Sequence, residues 1–324
     1  MTQQHRILVG DCIEMMRTLP DQSVHTCITS PPYFGLRDYG VDGQIGLEDS
    51  PREFIDSLVA VFREVRRVLR EDGTIWVNMG DSYSNGGRTW RAPDKKSEGR
   101  AMETRPDDGL KPKDLLGMPW RLAFALQDDG WYLRQDIVWA KPNPMPESVR
   151  DRCTKAHEYL FLLSKSPRYY FDQDAIREPA RAQAAPESVS RRNSFARETK
   201  YTDGEHGQTA QHRTGRNDVD YDETRNKRSV WTVATASFKG AHFATFPPDL
   251  IRPCVLAGSP RGGMVLDPFG GAGTTALVAM QEGRQSVICE LNPEYASLAR
   301  QRLDTAWIEG AAQMDFLLDQ SPAA

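Results

Sequence analysis

The sequence predicts an α/β protein whose sheet is mostly parallel and covered by helices on both faces. Two observations carry this. Short apolar runs of strand length alternate along the chain with longer amphipathic runs of helix length, the pattern of successive strand–helix–strand units. Late in the chain, "MVLDPFGGAGTTALVAM" reads as strand, glycine turn and helix in direct succession.

Taken in order, "HRILVGD" is a short buried strand and "VHTCITS" a second, with "CIEMMRTLP" between them as a helix ended by Pro20. Residues 51–70 make an amphipathic helix. Phe54, Leu58, Phe62, Val65 and Leu69 recur near every 3.6 residues, while Arg52, Arg63, Arg66, Arg67 and Arg70 fall mostly off that stripe. "TIWVNMG" follows as a strand. Residues 81–113 break the pattern with a long polar loop rich in Gly and Pro, a length usually found in functional or disordered segments. The pattern resumes with "DLLGMPWRLAFALQDDG" as a helix and "WYLRQDIVWAK" and "HEYLFLLSK" as strands. Residues 173–229 break it again. They hold many Arg, Asn, Ser, Gln and His and few aliphatics, cannot bury a core of their own size, and read as an insert or a disordered segment. Beyond them come the helix "PPDLIRPCVLAGS", the strand "GMVLD", the helix "TTALVAMQEG", the strand "QSVICEL" and the closing helix "PEYASLARQRLDTAWIEG". No internal repeat is visible, and the tail "DQSPAA" reads as frayed.

Composition narrows the class. The 324 residues suffice for one large α/β domain with inserts or for two domains, and 39% hydrophobic with 27% charged residues is ordinary for a soluble protein. A net charge of −4 argues against whole-surface attraction to nucleic acid and leaves a local basic face open. No apolar run is long enough to span a bilayer, and "MTQQHRILVGDC" lacks a signal-peptide core. The five cysteines are scattered without a CxxC pair, so neither a disulfide framework nor a metal site is expected; they read as reduced, mostly buried thiols. Cys254, although preceded by a proline, lies in an apolar helix pattern and reads as packing.

The glycine turn contains G-x-G-x-x-A from Gly271 through Gly273 to Ala276, with Gly270 before it and Thr274 and Thr275 opening the helix. Such glycines allow a tight turn and a close approach of backbone to ligand at a helix N-terminus. Glu290 ends the following strand, where a carboxylate can accept from both ribose hydroxyls of an adenosine. Asp267 and Phe269 intervene at the strand end. An acid there repels a pyrophosphate and suits an ammonium, as on the methionine part of S-adenosyl-L-methionine. No Lys-Ser/Thr follows the glycines, so a phosphate-binding P-loop is excluded.

The second singular stretch is "TSPPYFGLRDYG" at residues 29–40, where an apolar strand runs into two prolines. In a parallel sheet the carboxyl ends of distant strands meet in one crevice, so Ser30 and Asp267 can face one ligand pair. Pro31 and Pro32 stiffen the turn and leave carbonyls free to accept, Ser30 adds a hydroxyl, and Tyr33 offers a flat face for stacking. That set suits the exocyclic amine of a nucleobase, a poor nucleophile until acceptors hold its two N–H bonds and aim its lone pair at a methyl group.

Taken together, "GDC", "TSPPYFGLRDYG", "LLGMPWRLAFAL", "DIVWAKPNPMPESV", "KAHEYLFLLSKSPRYYFD", "GAHFATFPPDLI" and "LDPFGGAGTT" resemble, in that order, the amino-group DNA methyltransferases of the β arrangement, in which the catalytic motif precedes the cofactor motif. The resemblance implies a Rossmann-like S-adenosylmethionine-dependent fold with permuted motif order: residues 1–172 as catalytic half, 173–229 as target-recognition insert and 230–324 as cofactor half. It implies Ser30, Pro31, Pro32 and Tyr33 as the catalytic motif, with Tyr33 stacking on a base flipped from the duplex. Asp267, Phe269, Gly270, Gly271, Gly273, Thr274 and Thr275 take the cofactor loop and Glu290 the ribose. Asp11 is placed near the adenine, and Phe243, Phe246 and Pro247 on the methionine side. The substrate implied is double-stranded DNA, with Arg88 and Arg91 of the first loop and Arg191, Arg192, Arg197, Arg213 and Arg216 of the insert as contacts to phosphates or base edges. Ser30, where adenine enzymes often carry Asp or Asn, and "HFATFP" in place of a "QKP"-like segment both resemble cytosine-N4 enzymes; adenine N6 is the alternative. A homodimer, a cognate restriction endonuclease and a place in the bacterial cytoplasm follow from family resemblance only. A nicotinamide-dependent oxidoreductase would use the same glycines and Glu290 but leaves Asp267 and "SPPY" unexplained.

Overall fold

The computed structural model describes residues 4–36, 38, 40–84, 111–180, 224–235 and 246–319, with side chains to residue 309. In chain order the elements are β1 (His5–Val9), α1 (Cys12–Arg17), β2 (Val24–Thr29), α2 (Pro51–Val68), β3 (Leu69–Met79), α3 (Met118–Asp128), β4 (Tyr132–Ala140), β5 (His157–Ser164), β6 (Glu178–Pro179), β7 (Thr224–Arg225), β8 (Val230–Thr232), α4 (Pro248–Gly258), β9 (Met264–Asp267), α5 (Thr274–Gln281), β10 (Gln285–Glu290) and α6 (Pro293–Asp319).

Eight strands form one sheet in the order β1-β10-β9-β2-β3-β5-β4-β8. All neighbouring pairs from β1 to β3 are parallel, as is β4 with β8, whereas β5 runs antiparallel to both β3 and β4. Two successive strands with no helix between them make a hairpin, which accounts for the antiparallel pair inside a parallel sheet. Side chains alternate across the sheet. Cys27, Ile75, Val77 and Leu266 pack in the core with Met16 of α1, Phe54, Leu58 and Phe62 of α2 and Leu122 of α3. On the other face Gly258 of α4 approaches Thr26 and Trp76, and Ile288 packs with Ala276 of α5 and Ala299 and Leu303 of α6.

Helix α2 begins with reciprocal bonds between Ser50 and Glu53 and with Pro51 in its first turn, and its apolar stripe is fully buried. It ends at Val68 rather than residue 70, because Leu69 enters β3 and pairs with Val24. Helix α3 starts at Met118, four residues later than the sequence pattern begins: Gly117 sits in a left-handed conformation at its N-cap, and Leu115 is drawn into a bridge with Tyr83 that closes the base of the first loop. Strand β8 is not visible in the sequence pattern, since three residues carry no period; its Trp231 is nonetheless buried. Helix α6 runs through Gly310, a residue that costs only about 1 kcal/mol inside a helix.

By internal contacts the chain divides into Met1–Ala175 with Arg228–Ala324, and Ile176–Lys227. The first unit contains the eight-stranded sheet. In the second, β6 pairs antiparallel with β7, Arg225 donates to Glu178 at 2.8 Å, and Arg177 donates to the Thr224 hydroxyl at 2.8 Å. Among the described residues no helix is long and apolar enough to cross a membrane, and no group of three His, Cys, Asp or Glu could hold a metal.

Candidate active site

Four parallel strands end at one edge of the sheet. Register places Ile288 beside Asp267, Val9 beside Glu290, and Cys27 beside Leu266, so the ends of β1, β10, β9 and β2 lie side by side. The chain crosses from β9 through α5 to β10 in one direction and from β2 through α2 to β3 in the other, which makes the β9–β2 boundary the switch point where such sheets open a crevice. A cavity lies there. It is lined by Gly10, Asp11 and Cys12 after β1, Ser30 and Pro32 after β2, Asp267 to Ala272 with Thr274 from the end of β9 onward, and Cys289 to Asn292 from the end of β10 onward. Val41, Gly43, Gln44, Ile45, Phe246, Tyr295 and Leu298 complete the wall.

The glycine loop is shaped by sterics. Gly273 has φ +76°, and a Cβ there would fall 2.9 Å from Cβ of Ala299. A Cβ on Gly270 would fall 2.9 Å from Ile288. Gly271 has φ +50° but open space around it. Gly273→Ala is therefore expected to cost about 2–3 kcal/mol of stability and Gly271→Ala about 1 kcal/mol, measured by denaturant unfolding. Equal losses would mean that the Ala299 contact relaxes freely. The loop is braced from α6 by Arg302, which donates to the carbonyl of Ala272 at 3.1 Å and the hydroxyl of Thr274 at 2.9 Å.

Glu290 accepts the Gly271 amide on one oxygen at 2.7 Å and the Asn292 amide on the other at 2.8 Å. Each oxygen keeps a further acceptor position. Burial pushes its carboxyl above the ordinary range, and those amides act the other way. Asp267 is 1% exposed. Its Oδ1 accepts the Thr29 hydroxyl at 2.6 Å and the Phe269 amide at 3.0 Å, and its Oδ2 accepts the Thr275 hydroxyl at 2.7 Å. Burial pushes this carboxyl up as well, against those three bonds. One carboxylate thus ties the end of β2 to the end of β9 and to the first turn of α5. Asp11 lines the cavity and caps α1 by accepting the Glu14 amide at 3.0 Å.

Of the residues singled out in the sequence, Asp11, Ser30, Pro32, Phe246, Asp267, Phe269, Gly270, Gly271, Thr274 and Glu290 meet in this cavity. Pro31, Tyr33, Pro247, Gly273 and Thr275 are not among the residues that line it. Cys254 is fully buried, its Sγ 3.8 Å from the Leu250 carbonyl, as packing requires. Phe243, Arg88, Arg91, Arg191, Arg192, Arg197, Arg213 and Arg216 lie outside the described residues. Sequence reasoning missed Thr29, Asn292 and Arg302. Thr29 is the first residue of the quoted motif, while the other two carry no local signal.

Among the described residues no Lys or Arg lines the cavity, whereas Asp11, Asp267 and Glu290 do. Such a wall disfavours the pyrophosphate of a nicotinamide dinucleotide, so the oxidoreductase alternative finds no support in the geometry.

Residues 24–301 match the family model described as DNA methylase, which covers the N6 and N4 methyltransferases. The chain is 52% identical over 296 residues to the type II methyltransferase M.Cfr9I of Citrobacter freundii, covering 91% of this chain and 86% of that protein. It is 50% identical over 300 residues to the type II methyltransferase M.SmaI of Serratia marcescens, covering 92% and 90%. Among solved structures, the PvuII DNA methyltransferase (cytosine-N4-specific) superposes with a TM-score of 0.61 at 18% identity over 92% of this chain and 86% of that one. A putative DNA modification methylase of Thermus thermophilus, solved complexed with S-adenosyl-L-methionine, superposes with a TM-score of 0.56 at 24% identity over 93% and 95%. These two share the fold. With a cavity at the sheet's switch point and relatives at half identity along nearly the whole length, the chain belongs to the N6/N4 family of DNA methylases.

Proposed function

We propose that this protein transfers a methyl group from S-adenosylmethionine to the exocyclic N4 amine of a cytosine in a specific double-stranded DNA sequence, as the modification enzyme of a type II system acting in the bacterial cytoplasm. The observation that carries the reading is that Ser30, which opens the Pro-Pro-Tyr turn, lines the same cavity as the glycine loop and Glu290.

The donor fits the residues present. Glu290 has acceptor positions for two ribose hydroxyls, Asp267 offers negative charge to an ammonium, Asp11 lies toward the adenine, and Phe243, Phe246 and Pro247 serve the methionine side. When bound, S-adenosylmethionine supplies an electrophilic methyl group on a sulfonium. Ser30 Oγ and the Pro31 carbonyl hold the two N–H bonds of the target amine and turn its lone pair out of conjugation with the ring. These acceptors also take up the positive charge that develops on the nitrogen, so positioning and electrostatics share the work. Tyr33 stacks on the flipped base. In this reading residues 173–229 recognise the target sequence, with Arg191, Arg192, Arg197, Arg213 and Arg216, together with Arg88 and Arg91 of the first loop, contacting phosphates and base edges.

The serine before Pro-Pro-Tyr and the cytosine-N4 specificity of one structural neighbour support cytosine over adenine. Mass spectrometry of nucleosides from DNA methylated by the purified protein tests this. N4-methylcytosine is expected, and N6-methyladenine as the only product overturns the base assignment.

A further inference from the structure

Around the Tyr33 hydroxyl lies a cluster of side chains, Glu158, Asn78 and Lys141, that no step above uses. Tyr33 Oη donates to Glu158 Oε2 at 2.8 Å. Asn78 Nδ2 donates to the same oxygen at 3.2 Å and to the Tyr159 carbonyl at 3.1 Å. Lys141 Nζ pairs with Glu158 Oε1 and lies 4.3 Å from the ring centre of Trp139. The Lys141 and Glu158 side chains are only 17% and 14% exposed, so this is no solvated surface pair. Gly80 packs against the junction of ring and carboxylate, for a Cβ there would fall 2.8 Å from Tyr33 Cε2 and 3.3 Å from Glu158 Cδ.

The β4–β5 hairpin delivers these groups. Ala140 lies opposite His157 and the Lys141 amide donates to the Ala156 carbonyl at 2.8 Å, which puts Lys141 and Glu158 at one end of the ladder. Tyr159 pairs with Met79, so the same end meets Asn78 of β3 and Gly80 just beyond it. Groups from three places in the chain, Tyr33, Asn78 and Lys141, therefore converge on the one carboxylate of Glu158.

We infer that Glu158 is a positioning residue of the methyl-transfer site, holding the Tyr33 ring in a fixed plane before a base arrives, with Lys141 and Asn78 fixing the carboxylate in turn. The inference rests on the methyltransferase reading and on Tyr33 as the stacking aromatic. Three donors surround the two carboxylate oxygens: the Tyr33 hydroxyl, the Asn78 amide and the Lys141 ammonium. A glutamine has one acceptor oxygen and one NH2, so it leaves at least one of these donors facing another donor. Burial first, then the charge of Glu158 and its hydrogen bond, push the Tyr33 phenol well above its ordinary range, which keeps the hydroxyl protonated as donor. A ring held in advance loses less freedom when the base stacks on it, and that gain appears in the transfer step.

The test is a double-mutant cycle on the full protein with duplex substrate. Glu158→Gln and Tyr33→Phe are each expected to lower kcat roughly tenfold while leaving S-adenosylmethionine affinity by calorimetry within about twofold. The double variant should lose no more than Tyr33→Phe alone, because a phenyl ring has no hydroxyl to tether. Losses that multiply, or a Glu158→Gln enzyme with wild-type kcat, overturn the inference. So does a parallel fall in cofactor affinity, which marks a merely structural acid. Should Glu158→Gln fail to fold with Lys141 left unpaired, Lys141→Met/Glu158→Gln removes both charges and should show the same tenfold loss. Wild-type protein that methylates neither base refutes the functional reading itself, whereas an active wild type with indifferent variants refutes only the role of Glu158.

Discussion

Ser30→Ala is expected to lower methyl transfer by roughly a hundredfold while leaving S-adenosylmethionine affinity within about twofold. The hydroxyl sits on the wall of the cavity, yet the acceptor and donor groups of the cofactor half come from β9, the glycine loop and β10. Removing it deletes one acceptor for the target amine. That acceptor matters most as the nitrogen pyramidalises and charges, which is a transition-state interaction and therefore appears in kcat. Stability should change little, because Ser30 is half-buried at a turn rather than in the core. Single-turnover transfer with labelled donor measures the first effect and calorimetry the second. An alanine variant that transfers at the wild-type rate removes Ser30 from the chemistry.

The largest combined effect is expected at Asp267, where two substitutions separate two jobs. Asp267→Ala deletes three acceptor contacts at a site only 1% exposed, leaving the Thr29 and Thr275 hydroxyls and the Phe269 amide without that partner. A loss of about 2–4 kcal/mol of stability is expected, together with loss of cofactor binding. Asp267→Asn keeps an oxygen for Thr29 and Phe269 and presents an NH2 to Thr275, whose hydroxyl can accept it. It also removes a buried acid whose folded-state value is raised by desolvation. A raised acid costs stability as pH climbs past its unfolded value, so the Asn variant should lack that decline above the ordinary carboxylate range. Its unfolding midpoint should stay near wild type at neutral pH, and its S-adenosylmethionine affinity should fall at least about tenfold with the lost charge. Wild-type affinity in Asp267→Asn would leave Asp267 as a tie between strand ends and remove it as a partner of the ammonium.

The parts of the fold and site that the sequence made legible are those whose physics is local. The stripe of α2 is periodic, the glycine turn needs particular dihedrals, and Ser30-Pro31-Pro32-Tyr33 stops a strand in a way few sequences do. Glu290 was legible because it ends an apolar strand just after the glycine helix. What stayed hidden depends on who meets whom across the sheet. Thr29 looks like any strand threonine until β9 is laid beside β2. Arg302 is one of several arginines on a helix until α6 packs behind the loop. Glu158 stands in the quoted "KAHEYLFLLSK" yet says nothing of Tyr33 until the hairpin folds back on β3. Strand β8 is too short for any period to register.

The sheet order has a consequence for how the chain is made. Of the described strands β1 and β2 leave the ribosome before the others, yet they do not pair with each other; β10 and β9, which emerge after all the rest, fill the space between them. Until residues 264–290 emerge, β2 has one open edge and β1 has no neighbour. Such long-range pairing is slow and exposes unpaired edges to aggregation during synthesis. The cavity needs all four strand ends, so an N-terminal fragment holding the complete Pro-Pro-Tyr turn has no donor site to work with. Translation through residue 290 becomes the condition for the first methylation event, and a nascent chain stalled before the glycine loop is catalytically silent.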